Sequence, residues 1–295
     1  MNNIALPAGF ITALDEKFRK ESITADLIGD DSLFKDGNLP NEIAYPQLSV
    51  SGLGDYSRED GTGGGSYSNN SVSLEWKTTK YNYDRGTKIQ VDVMDDVESA
   101  IGLFANAAAT LMTEKVAPEA DAFTFAKLAE SAGTKVDADL ENAEAFLAAL
   151  IEATNVLDEA EVPEEGRYLY ATPTLINGIM GLETSKSREV LNSFSLIKKV
   201  PQARFYSAID LADGKTAGEE LGHYKKADEA VDINFMIVVP QAIIKHDKHI
   251  ASDIISPKFN LDSDALVMKY RKYGIVDVYK NKAKGIYLHT KEVTE

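Results

Sequence analysis

Few residues in this chain have the types and spacing that chemistry on a substrate would need. The imidazoles are His223, His246, His249 and His289, and only His246 and His249 are close enough in sequence to share a metal ion. A zinc-type site needs three or four donors, and neither a third histidine nor a paired-carboxylate motif stands beside these two. They read as surface imidazoles, and no metal site is expected. The run Gly61 to Ser66, GTGGGS, has the glycine content of a phosphate cradle. It lacks the Gly-Lys-Ser/Thr ending and leads into a strand pattern, whereas a phosphate site needs a helix N-terminus behind the loop. No serine sits in a nucleophile elbow, and the absence of cysteine removes thiolate chemistry and disulfides together. The carboxylates crowded between residues 137 and 165 read as a solvated helix face. The sequence therefore nominates no catalytic residue, no cofactor and no metal, and it argues against an enzyme.

Composition points the same way. The chain has 295 residues, 44% of them hydrophobic, enough for one large domain or two small ones. Lys plus Arg number 31 against 47 Asp plus Glu, a formal charge of −16. A broad nucleic-acid-binding surface depends on clustered Lys and Arg, so none is expected. The start MNNIALPAGF has neither the charged nor the apolar region of a signal peptide, and no apolar run approaches the ~18 residues of a membrane span. These features predict a soluble protein made in the cytoplasm, with no membrane partner.

The elements are organised around residues 43 to 131. Leu48 and Val50 alternate with Gln47, Ser49 and Ser51, and Val72, Leu74 and Trp76 alternate with Ser73, Glu75 and Lys77. That is the period of half-buried strands, and the two runs read as arms of one hairpin. Between them, residues 52 to 70 carry six glycines and almost no large apolar side chain. A loop of this length is uncommon in a compact domain unless it is functional, and it reads as the tip of an arm ordered by a neighbouring molecule. Ile89, Val91 and Val93 continue the strand period. Asp95 and Glu98 then have the spacing of a capping box, which starts a helix at Asp95. Val97, Ile101, Phe104, Ala108, Leu111 and Met112 form its apolar stripe. Pro118 predicts a kink near Val116, after which the pattern resumes until Gly133 closes it. A continuous helix over 95–131 would be roughly 55 Å long at about 1.5 Å per residue.

Ahead of the hairpin, Phe10, Leu14 and Phe18 share a helical face, followed by Ile23, Leu27 and Ile28. This segment is compatible both with packing on its own core and with reaching across a subunit boundary. Beyond the spine, 142 to 160 is an acidic amphipathic helix and 167 to 171 a strand. Thr172 caps a helix that starts at Pro173 and buries Leu175, Ile176, Ile179 and Met180. Strands are expected at 200–207 and 233–239, separated by a polar loop at 210–232. This alternation reads as an inserted α/β lobe. The late strands, 266–271, 275–279 and 285–289, are expected to pair with the early strand at 87–93.

That order of elements, with the segments VSGLGDYSR (50–58), DRGTKIQVDVMD (84–95), KVAPEADAF (115–123), RYLYATP (167–173), VPQARFYSAIDL (200–211), DINFMIVVPQA (232–242) and NKAKGIYLH (281–289), resembles the major capsid proteins of tailed bacteriophages. The resemblance is to the Hong Kong 97 type of fold and, within it, to the branch found in phages of Gram-positive bacteria. The resemblance implies an α+β chain with an N-terminal arm (1–42) and an extended hairpin arm (43–85). It further implies a peripheral domain of spine helix and long strands (86–136 and 249–295) and an axial domain (137–248). In the family the hairpin arm lies over a neighbouring subunit. This makes Tyr56, Arg58, Glu59, Asp60, Trp76 and Arg85 the candidate intersubunit contacts.

The resemblance also implies pentamers and hexamers that build an icosahedral shell around double-stranded DNA, bound without sequence specificity. The portal is an expected partner during assembly, and the destination is the virion by way of the host cytoplasm. Only some 40 residues precede the hairpin, which predicts a separate scaffolding protein or none. Residues 44–76 contain no lysine, so the covalent arm crosslink of some members is not expected. The net negative charge would let packaged DNA slide, and it equally serves solubility. An encapsulin-like nanocompartment shell is the alternative on the same fold, and a soluble α/β enzyme the remote one.

Overall fold

The computed structural model of the chain describes residues 17–18, 21–29, 34–37, 41–53, 56, 71–98, 102–182 and 184–292. The chain divides into two compact units, residues 30–82 and the remainder. The smaller unit holds an antiparallel sheet of β1 (Lys35–Asp36), β2 (Glu42–Val50) and β3 (Val72–Lys80), in that order. The hairpin register follows the sequence alternation, with Pro46 opposite Trp76, Leu48 opposite Leu74 and Val50 opposite Val72. Ser51 and Ser71 close the ladder, backbone to backbone and through the Ser51 hydroxyl. One expectation fails. Leu48, Val50, Val72, Leu74 and Trp76 are exposed, whereas Ile43, Ala44 and Tyr45 at the start of β2 are buried, so the outer part of the hairpin is not half-buried.

In the larger unit, β4 (Tyr83–Asp92) leads into the spine. Its first helix is Val93–Glu98, two residues earlier than the proposed capping box. Asp92, not Asp95, supplies the cap, its carboxylate accepting from the Met94 amide at 2.9 Å. The spine is not continuous. Gly102 takes a left-handed conformation (φ 63°), and a second helix, Leu103–Thr110, starts after it. Phe104, Ala108 and Met112 are buried against Met268 and Tyr270 as the stripe predicts, but Val97 is exposed. Six residues of π-helix, Leu111–Val116, precede the helix Ala117–Glu130. Proline lacks the N–H that an ordinary turn would use and crowds the carbonyl four residues back, so the widened turn falls just ahead of Pro118 and the helix runs on. Gly133 is required by close approach, not by a left-handed cap: a Cβ there would lie 2.5 Å from the Ala283 carbonyl oxygen.

The remaining elements are β5 (Thr134–Asp137), the helix Ala143–Glu159, β6 (Tyr168–Ala171), the helices Pro173–Gly181 and Ser185–Asn192, and β7 (Leu196–Lys199). They continue with the hairpin β8 (Ile209–Leu211) and β9 (Tyr224–Lys226), then β10 (Ile233–Val238), β11 (Ile243–Ile255), β12 (Ala265–Val278) and β13 (Ile286–Thr290). Asn142 caps the first of these helices through the Ala145 amide at 2.8 Å. Thr172 holds the N-cap position of the next without a side-chain bond, and Met180 is exposed there. The strand expected at 200–207 lies earlier, at β7. Pro201 cannot donate to a ladder and ends it.

Pairing divides the late strands. β12 joins β4 along its length, Ala265 opposite Asp92 through Gly274 opposite Tyr83, with β11 on its other side. β13 does not join β4. It sits between β5 and β10 in a five-stranded sheet of order β5-β13-β10-β6-β7. The expected axial domain (137–248) therefore shares its sheet with residues on both sides of it, and residues 83–295 group with 1–29 in one unit by contact.

This sheet is buried on both faces. Tyr170, Met236, Val238, Ile286 and Leu288 pack with Phe125 and Leu128 of the spine. Leu169, Ala171, Phe235, Ile237 and Tyr287 pack with Phe146, Leu150, Ile176 and Ile179 of the helices opposite. The strand period of two sends alternate residues to each layer, which is why all six residues of β10 are buried. The segment 21–29 packs on its own subunit, with Leu27 in the first of these layers. Of the helix expected further upstream, Phe10 and Leu14 lie outside the described residues. No described helix is long and apolar enough to cross a membrane.

Candidate functional site

Side chains opposite one another in an antiparallel pair share a face. The hairpin register therefore gathers Pro46, Leu48, Val50, Val72, Leu74 and Trp76 into one apolar ladder three pairs long. Leu48 is 60% exposed, Val50 59%, Val72 68%, Leu74 58% and Trp76 44%. Scattered exposed apolar residues are ordinary, whereas a contiguous strip marks a surface that meets something. Lys35 Nζ sits 4.1 Å from the centre of the Trp76 ring, a cation–π contact at the foot of the ladder.

The six residues expected at an intersubunit contact fall in different places. Trp76 lies on the ladder, and Tyr56 is exposed beyond its tip. Arg58, Glu59 and Asp60 lie outside the described residues, as does the GTGGGS run. Arg85 makes its bonds within the chain. Its Nε and Nη2 reach the two Glu119 oxygens at 2.6 and 3.1 Å, and Nη1 donates to the Ala212 carbonyl at 2.7 Å. This fork ties β4 to the spine and to the loop after β8. The bond to Glu119 holds the guanidinium pKa up. The Tyr83 hydroxyl donates to the same carboxylate at 3.3 Å; burial, then the Glu119 charge, pushes its pKa well up.

A cleft of about 480 Å³ opens beside Arg85, lined among others by Lys115, Glu119, Asp213, Lys215, Glu220 and His223. Arg85, Lys115 and Lys215 share its wall with Glu119, Asp213 and Glu220, and this mixture of signs gives an ionic ligand no preferred polarity. His223 Nδ1 is 3.8 Å from Glu119, and burial, then the neighbouring Lys115 charge, lowers the imidazole pKa. Among the described residues no three His, Asp or Glu side chains gather as a metal site requires.

A second apolar surface was not foreseen. Phe259 and Leu261 in the β11–β12 turn are strongly exposed, as are Met94 and Val97. They share one end of the three-stranded sheet, because the Val93 amide donates to the Asp264 carbonyl at 3.2 Å. The turn itself is pinned by Asn260, whose amide donates to Ser263 Oγ and the Ala265 carbonyl. The one sequence signal for it was Phe and Leu placed inside a Pro-, Asn- and Asp-rich turn.

No protein-family model matches the sequence, and no curated protein does. Solved structures do match the fold. A structure described as the asymmetric unit of the bacteriophage PhiM1 mature capsid superposes with a TM-score of 0.58 at 12% identity, over 88% of this chain and 84% of that one. A Mycobacterium phage Che8 chain gives 0.57 at 14% identity, over 91% and 90%. The virus-like particle of Pyrococcus furiosus gives 0.54 at 12% identity, over 97% and 100%. At such identities what is shared is the arrangement of elements, and it is shared nearly from end to end: the chain has the tailed-phage capsid fold, an α+β fold of the Hong Kong 97 type.

Proposed function

We propose that the chain is the major capsid subunit of a tailed bacteriophage, assembling through many copies of itself into the pentamers and hexamers of an icosahedral shell around double-stranded DNA. The observation that carries the reading is the exposed apolar ladder on the hairpin of a subunit with a capsid fold. A strip of this kind is unfavourable in water and is relieved when copies cover one another. Pentamers and hexamers need unlike surfaces to meet, because a self-complementary patch closes a dimer and stops. The separate patch at Met94, Val97, Phe259 and Leu261 supplies such an unlike surface. In this reading residues 43–85 act as the intersubunit arm, 86–136 with 249–295 as the peripheral part of the shell and 137–248 as the part near the capsomer axis. A separate scaffold and the portal act during assembly in the host cytoplasm, and the product is the virion.

The test is negative-stain microscopy with light scattering on the purified chain across concentration and salt. Rings, sheets or shells are expected; a strict monomer under every condition would overturn the reading. The match to the Pyrococcus furiosus particle along that whole chain favours one second reading, an encapsulin-like shell around protein cargo. What copurifies with the particles, DNA or a protein, separates the two.

A further inference from the structure

Residues 21–29 are held in an unusual way. Among the described residues they join no strand: Glu21 is helical, the Ser22 amide donates back to the Phe18 carbonyl, and the 3-10 turn Ala25–Leu27 follows. They are gripped instead by charged side chains from four other parts of the subunit. The buried Asp121 carboxylate of the spine accepts from Ser22 Oγ at 2.8 Å, the Ile23 amide at 2.9 Å, the Thr24 amide at 3.1 Å and Thr24 Oγ1 at 2.8 Å. Arg204 completes its shell at 3.2 Å. Three cations take the segment's carbonyl oxygens. Lys198 donates to Ile23 at 2.9 Å, Lys245 to Thr24 at 2.9 Å and Arg204 to Glu21 at 3.4 Å.

Lys245 also donates to Thr24 Oγ1 at 2.7 Å, so that one hydroxyl bridges the buried ammonium and the buried carboxylate. Lys198 pairs with Asp26, and the Gly29 amide donates to the Lys245 carbonyl at 3.1 Å. Leu27 fills an apolar socket beside Phe125 and Leu128.

A carboxylate that collects amides and hydroxyls from one short segment, flanked by cations on its carbonyls and a socket for one apolar side chain, is how a protein recognises a peptide. We infer that residues 21–29 occupy a peptide-binding groove anchored by Asp121, which selects hydroxyls at alternate positions and an apolar side chain three residues after the second, and that they leave it as one strap while the rest of the subunit stays folded. Lifting the strap exposes Leu27 and the partly buried Ile23, and otherwise groups that water can solvate. The two-layer core around β10 loses Leu27 and Ile23 from one layer and keeps the contacts among its sheet, spine and helix residues. Segments with few apolar contacts open at lower free energy than the core. Asp121 and Lys245 are the titratable groups that lie beneath the strap, with Lys272, Asp247 and Lys198 facing Lys245. The inference does not depend on what the chain assembles into.

Native-state amide hydrogen exchange on the full chain tests it. The Ile23, Thr24, Leu27 and Gly29 amides are expected to exchange together, at least about tenfold faster than Phe235, Met236 and Ile237. Asp121→Asn removes the charge from the anchor and should speed the strap amides about tenfold or more, with β10 unchanged. The double change Ser22→Ala with Thr24→Ala should do the same from the strap side, leaving Asp121 and Arg204 paired. That variant should also take up a labelled peptide of residues 17–29, read by fluorescence anisotropy. Strap amides that exchange at the rate of β10 in the unaltered chain would overturn the inference. So would variants that accelerate every amide equally. If Asp121→Asn does not fold, the unaltered chain and the strap variant still decide.

Discussion

Leu74→Glu separates the two things a buried-looking strand pattern can mean. Leu74 is 58% exposed and stands directly across from Leu48. Substitution at such a surface position should change the stability of the isolated subunit by no more than about 0.5 kcal/mol. In an assembled particle the expectation is different. Fully burying a leucine contributes ~1.5–3 kcal/mol, so covering the roughly three-fifths still exposed contributes about 1–2 kcal/mol per contact. A glutamate placed there loses that term and adds the cost of an unpaired charge, several kcal/mol more. With about 1.4 kcal/mol per tenfold, the concentration needed for assembly should rise at least about tenfold. Sedimentation velocity across a concentration series reads this, with thermal melting at low salt as the control on the free subunit. Particles at the concentration of the unaltered chain would refute the assignment of the ladder as an interface. A fall of many degrees in melting temperature would refute it differently, by showing that the ladder belongs to the subunit's own core.

Arg85→Ala takes the guanidinium fork from the buried Glu119 and leaves it the Tyr83 hydroxyl, with His223 at 3.8 Å; a loss of about 3 kcal/mol is expected in urea unfolding, and Arg85→Lys should recover only part of it because one ammonium cannot reproduce the fork. Gly133→Ala drives a Cβ into the Ala283 carbonyl oxygen, and a cost of about 1–3 kcal/mol in the same assay is expected; no cost would mean that the segment around Ala283 yields freely. Burial, then the neighbouring Lys272 charge, lowers the Lys245 pKa to about 7, while an unfolded lysine keeps its proton to about 10.4. The unfolded chain then binds more protons between these values, so stability should rise from pH 7 to about 9.5; Lys245→Met should flatten that rise, and parallel profiles would contradict it. Finally, a formal charge of −16 per subunit resists close packing, and screening beyond ~10 Å at about 0.1 M salt predicts that assembly improves with ionic strength; steady weakening in a salt titration followed by light scattering would show that intersubunit ion pairs dominate.

The parts of the fold legible in the sequence were those set by local period. The alternation at Leu48 and Val50 and again at Val72, Leu74 and Trp76 marked the two arms of the hairpin, and the apolar run from Ile233 marked a strand. Period says nothing about partners. It identified residues 285–289 as a strand but could not say that β13 inserts beside β10 in place of joining β4. Nor could it show that Arg85 meets Glu119, 34 positions away, or that Ser22 and Thr24 meet Asp121 across almost a hundred. The broken spine was hidden for a different reason. Apolar spacing from Val97 to Met112 continues across the break, while a left-handed Gly102 and a π-turn leave that spacing nearly unchanged. At the candidate site the ladder could be read but its exposure could not, since alternation is the same whether a face is covered by its own core or by another copy.

The place of β13 in the sheet has a consequence for the order in which a nascent chain becomes a subunit. β10 ends at Val238 and β13 starts at Ile286, so about 48 residues must be made after one strand before its neighbour exists. At ~5–20 residues per second that interval is roughly 2–10 s. Throughout it the sheet stands open between β5 and β10, with β10, apolar but for Asn234, presenting an unpaired edge of the kind that invites aggregation. Closing that gap comes last, long after the hairpin has left the ribosome. A subunit stalled before Ile286 would therefore carry its adhesive ladder on an unfinished body, and quality control has a defined window in which to remove it.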